Sequence, residues 1–133
     1  MNLQFPKLLR PFIGKYTWRK LSSSKTIYIT FDDGPVPEVT PFILKLLDEY
    51  GIKATFFCVG ENVKKYPELY QEVLSRGHRV GNHTYNHLKG YSVSKEEYLN
   101  NVEKAARLID SNLFRPPYGK MKRSQQKALN EKY

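Results

Sequence analysis

A chain of 133 residues, 40% hydrophobic and 26% charged, is long enough to bury a core as one domain, and its composition argues against disorder. A single cysteine excludes an internal disulfide framework, and no apolar run approaches the length of a membrane span. The 22 Lys and Arg outnumber 13 Asp and Glu to give +9, but they are dispersed, which reads as a solvated basic face rather than a nucleic-acid surface.

Residues 1–24 hold two prolines and mixed charge and then run into SSSK, so they read as an N-terminal arm ahead of a domain over 25–133. The arm lacks the unbroken apolar core and small-residue cleavage site of a signal peptide. TIYITF (26–31) is apolar at nearly every position, as expected for a strand buried on both faces. PFILKLLDEYG (41–51) repeats apolar residues at helical spacing and stops at Gly51. KATFFCVG (53–60) reads as a second buried strand holding Cys58 as an inert thiol. NVKKY and PELYQEVLSRG supply short helices, the second opening at Pro67 and closing at Gly77.

HRVGNHT (78–84) is a weaker third strand that leads into a polar turn. SKEEYLNNVEKAARLIDS (94–111) is an amphipathic helix, with Ser94 and Glu97 in a capping-box pattern. LFRPPYGK (113–120) is a short strand end and loop, and SQQKALNEK closes the chain as a helix. Strands alternating with helices imply βαβ units on a parallel sheet, where ligands gather at the C-terminal strand ends. DDG, HTYNH and RPPYG each follow a strand-like run, so one common rim is expected.

Asp32 and Asp33 are adjacent at the end of the first strand, where side-chain alternation would send them to opposite faces. A turn at Gly34 would let both reach one site, and nearby positive charge would compensate them. Alone, DDG also fits a solvated turn. His83 and His87, four apart, suit one metal ion if they lie on a helical turn, although such pairs also arise by chance. Two imidazoles and one carboxylate would leave coordination positions open for water and substrate.

Taken together, TFDDGP (30–35), HTYNH (83–87) and RPPYG (115–119) resemble, in order and spacing, the first three motifs of the polysaccharide deacetylases, carbohydrate esterase family 4 or the NodB-homology domain. KATFFCVGENV and GHRVGNHTYNH are similar to family sequence as well. The resemblance implies an α/β fold, the N-terminal part of a distorted (β/α) barrel with parallel strands, apparently truncated. It implies a divalent metal, zinc or another first-row ion, held by Asp33, His83 and His87. Asp32 would be the general base, Arg115 would pair with it and orient it, and Pro117 with Tyr118 would wall the sugar groove. The Tyr118 backbone N–H would help hold an oxyanion. The implied substrate is an N-acetylated glycan, peptidoglycan or chitin-like, and the implied compartment is the cell envelope or outside the cell.

The chain departs from the family in one respect: the His that donates a proton to the leaving amine belongs to a later motif, and this chain has no His beyond 87. The enzyme reading therefore competes with a non-catalytic metal- or glycan-binding remnant. A basic nucleic-acid-binding domain is a further alternative, and it predicts salt-sensitive DNA binding that Asp33→Ala leaves intact. His78 reads as structural and Thr84 as a loop-ordering residue. Tyr85, Tyr91 and Trp18 read as packing residues. The sequon Asn82-His83-Thr84 is expected to go unused, with a metal ligand at its centre.

Overall fold

The computed structural model describes residues 25–133, so the arm expected over 1–24, with Trp18, lies outside the described residues. Three parallel strands, β1 (Thr30–Asp32), β2 (Thr55–Cys58) and β3 (Arg79–Asn82), pair in the order β1-β2-β3. The helices are α1 (Thr40–Glu49), α2 (Gly60–Lys65), α3 (Pro67–Ser75), α4 (Lys95–Ala106) and α5 (Arg123–Leu129). This is the parallel α/β arrangement that the alternating pattern implied.

Helix ends follow local chemistry. Gly51 and Gly77 adopt left-handed φ of 63° and 75° just past α1 and α3, where a side chain would be strained. Pro67 opens α3, and the Ser94 hydroxyl accepts the Glu97 N–H at 3.1 Å to cap α4. The helix expected over 94–111 ends earlier, at Ala106, and the helix at 60–65 begins earlier than NVKKY suggested.

Side-chain alternation divides the sheet into two faces. Ala54, Phe56, Cys58 and Val80 join Leu44, Leu47, Val63, Tyr70, Val73, Ala105 and Ile109 from the helices in one core. Burial pushes the Cys58 thiol up to about 12, so it stays protonated and inert. His78 is buried and structural, its Nδ1 accepting the Ala54 N–H at 3.2 Å. The opposite face carries Asp32, Phe57 and Gly81 side by side in register.

The first strand corrects the sequence reading. The strand expected over 26–31 and buried on both faces is only Thr30–Asp32 and is largely exposed, with Ile27 at 87% and Tyr28 at 58% exposure before it. The physical reason is position: among the described residues β1 is an edge strand, paired only with β2. Apolar composition marks a strand for burial but does not say which neighbours cover it. Val39, Phe42, Leu46 and Tyr50 likewise form an exposed stripe along and beside α1.

Gly81 has no side chain because the Phe57 ring occupies its place: a Cβ there would stand 2.6 Å from two ring carbons and 3.2 Å from Leu113 Cβ. Gly81→Ala is therefore expected to destabilise the protein by about 1–3 kcal/mol, as overpacking does. Urea unfolding checks this, and an unchanged midpoint would contradict it.

Candidate active site

The two aspartates diverge through the backbone. Asp32 ends β1 on the same face as Phe57 and Gly81, whereas Asp33 takes a left-handed φ of 68° that turns it onto the rim. The left-handed residue is Asp33 itself and not Gly34, an assignment Asp tolerates better than most residues. Asn62 of α2 fixes this turn by donating from Nδ2 to the Asp33 carbonyl at 2.7 Å.

The histidine pair lies in a loop rather than on the helical turn that its spacing suggested. Thr84 and His87 both have positive φ, 66° and 56°, and tertiary hydrogen bonds hold these strained conformations. The first N–H groups of α2, from Gly60 and Glu61, donate to the carbonyls of Thr84 and Tyr85 at 3.0 and 2.7 Å. Asn101 on α4 accepts the Tyr85 N–H at 2.8 Å and donates to Asn86 Oδ1 at 2.9 Å. Thr84 orders the loop as expected, its Oγ1 accepting the Leu88 N–H at 3.0 Å.

This folding brings Asp33, His83 and His87 together, with one ligand atom of each within 4.8 Å of the others. Nε2 of His83 and of His87 lie 3.4 and 3.2 Å from Asp33 Oδ1. Atoms bound about 2.1 Å from a single ion stand roughly 3.0–3.4 Å apart at octahedral or tetrahedral angles, so the observed spacing fits one. The tautomer fits too. His83 Nδ1 is 2.7 Å from the Arg115 carbonyl and must donate to it, which leaves the Nε2 lone pair facing Asp33. Burial depresses the His83 pKa, partly offset by that carbonyl, so the ring favours its neutral form. A bare lone pair opposite a carboxylate oxygen is an acceptor facing an acceptor, a contact that a cation between them resolves.

Arg115 holds the other aspartate. Its Nη1 donates to Asp32 Oδ1 at 2.7 Å and to Thr30 Oγ1 at 2.9 Å. The guanidinium stacks 4.1 Å from the centroid of the Phe57 ring, the same ring that fills the space at Gly81. Asp32 is thus tied to a cation while Asp33 faces the imidazoles. Tyr118, at φ 60° and 63% exposed, sets its ring edge against His87 with centroids 4.7 Å apart. Pro117 is buried beneath the loop and offers no free surface. Tyr85 is buried in the core as expected, but Tyr91 is exposed on the 3-10 turn Gly90–Ser92 and does not pack.

Sequence reasoning missed the residues that brace the site: Thr30, Phe57, Gly81, Asn62 and Asn101. Thr30 lies inside TFDDGP, and Phe57, Asn62 and Gly81 lie inside KATFFCVGENV and GHRVGNHTYNH, whereas Asn101, mid-α4, has no motif beside it. Asn82 was read solely as a sequon residue, and its complete burial makes modification there sterically closed.

Residues 19–132 match the family model described as polysaccharide deacetylase. The chain is 42% identical over 111 residues to a peptidoglycan-N-acetylglucosamine deacetylase of Bacillus cereus, covering 80% of this chain and 52% of that protein. It is 36% identical over 108 residues to a chitooligosaccharide deacetylase of Azorhizobium caulinodans, covering 76% of this chain and 51% of the relative. The structure of peptidoglycan deacetylase PdaC from Bacillus subtilis matches with a TM-score of 0.77 at 35% identity, over 80% of this chain and 56% of that one. The chain therefore spans about half the length of these two curated relatives.

Proposed function

Because the chain belongs to the polysaccharide deacetylase family and shares part of its (β/α)-barrel fold, we propose that it carries the metal-binding portion of a hydrolase that removes N-acetyl groups from N-acetylglucosamine-type polysaccharide, peptidoglycan or chitin-like. The observation that carries this reading is the separation of two adjacent aspartates into different partnerships, Asp33 with His83 and His87, and Asp32 with Arg115.

In this reading Asp33, His83 and His87 hold a divalent ion, zinc being the first choice because two imidazoles and one carboxylate hold it in other hydrolytic centres, with other first-row ions suiting the same donors. The bound ion would polarise the acetamide carbonyl and make a water molecule more acidic. Asp32 takes the proton from that water as it attacks the carbonyl carbon. Arg115 holds Asp32 Oδ1 in place, so the second carboxylate oxygen is the one free to accept it. The carbon–nitrogen bond then breaks and the departing amine takes up a proton. The family's late-motif His would deliver that proton, a residue with no counterpart in this sequence, whose last His is His87. Tyr118 presents its exposed ring beside His87 as one wall of the sugar groove, supported from below by Pro117, and its N–H stabilises charge developing on the carbonyl oxygen.

The test is calorimetric titration of zinc into the metal-free protein, followed by assay of acetate release from an N-acetylated glycan by the complete protein. One zinc per chain and acetate release are expected. Absence of zinc binding would overturn the metal reading. Zinc and glycan binding without acetate release would move the assignment to a non-catalytic binding module.

A further inference from the structure

Asn82 ends β3 with its side chain wholly buried, and every polar group on that side chain has a partner. Its Oδ1 accepts the Thr84 N–H at 2.8 Å, two residues along the chain. Its Nδ2 donates to the Val102 carbonyl on α4 at 3.0 Å and to Tyr133 Oη at 3.1 Å. The backbone of the same residue pairs with the incoming segment: its N–H donates to the Leu113 carbonyl at 2.8 Å and its carbonyl accepts the Arg115 N–H at 3.0 Å.

These bonds join the two halves of the site. The backbone pair fixes the height of Arg115, and with it the carbonyl that sets the His83 tautomer and the guanidinium that holds Asp32. The side chain fixes Thr84 in a left-handed conformation that a β-branched residue adopts only under constraint. Thr84 then passes the constraint on through Oγ1 to Leu88, closing the loop behind His87. Both imidazoles therefore depend on one carboxamide that touches neither.

We infer that Asn82 is a positioning residue, which pre-sets the His83–His87 loop for the ion and locks that loop in register with Arg115. This inference rests on the metal-binding reading. The test is zinc affinity, read by competition with a chromophoric chelator, for the purified protein and three variants at a temperature where each is folded.

Asn82→Ala is expected to bind zinc about 10–100-fold more weakly, the usual effect of losing an outer-shell partner. Asn82→Ser, whose hydroxyl can still reach the Thr84 N–H, should recover part of the loss and bind roughly three- to tenfold more weakly than the parent. Val73→Ala, which opens a gap in the helix-covered core away from the site, lowers the unfolding midpoint but should leave zinc affinity within about twofold.

Zinc affinity of Asn82→Ala within twofold of the parent overturns the inference. So does an equal loss in Val73→Ala, which would trace the effect to stability alone. If Asn82→Ala does not fold, Asn82→Ser decides: parental affinity overturns the inference. A parent that binds no zinc overturns the metal reading and this inference with it.

Discussion

Asp33→Ala is expected to abolish zinc binding and, in the complete protein, acetate release. The expectation follows from geometry: Oδ1 of this carboxylate stands within 3.4 Å of both imidazole Nε2 atoms, so it closes the triangle of donors. Without it, two imidazole nitrogens are left to hold the ion with no charged ligand, and affinity should fall by more than about 100-fold, beyond the effect of losing a group that only orients a ligand. A complication is built into the position, because alanine is strained at φ 68°. Asp33→Gly separates the two effects. It relieves the backbone, so its unfolding midpoint should equal or exceed that of Asp33→Ala, yet it should bind no more zinc. Parental zinc affinity in Asp33→Gly would remove Asp33 from the ligand set.

Asp32→Asn is expected to leave zinc binding intact and to lower acetate release by about 10²–10⁴-fold, the usual worth of a general base. The amide oxygen can still accept from Arg115 Nη1, so the geometry of the pair survives. What is lost is the capacity to take a proton. Zinc stoichiometry and turnover of an N-acetylated glycan, measured on one preparation of the complete protein, check both halves of the expectation. Turnover equal to the parent would sink the assignment of Asp32 as base.

Much of this was legible in the residues, though unevenly. Proline and glycine punctuate α1 and α3 so firmly that their ends follow from local backbone rules. The three motifs expected to share a rim do share one, because parallel strands bring their C-terminal ends together. Edge position was not legible: Ile27 and Tyr28 look like core residues by composition, and only the pairing order shows that β1 has a single neighbour among the described residues. The loop conformation at 83–87 was hidden as well. A spacing of four is also the helical repeat, and most groups that pull the chain out of a helix sit on α2 and α4, far off in sequence, while the near one, the Asn82 carboxamide, has no spacing signature. Asn82 was the least readable of all, since an asparagine beside a His carries no local sign of what its carboxamide will meet.

Asp33, Thr84, His87 and Tyr118 all hold left-handed backbone, a conformation that costs ordinary side chains about 1–2 kcal/mol each. The rim is therefore a place where the protein gives up heat resistance for geometry. A laboratory lineage propagated only for survival at high temperature would collect glycine at 33, 87 and 118, where glycine removes the strain, but not at 84, whose buried side chain holds Leu88. Such descendants would be sturdier than their ancestor and, with the proposed donors missing at 33 and 87, would be expected to bind no zinc. Pairing the heat challenge with a zinc-dependent readout would keep those codons, and the sites that resist change under the paired regime but yield under heat alone would mark out the working surface.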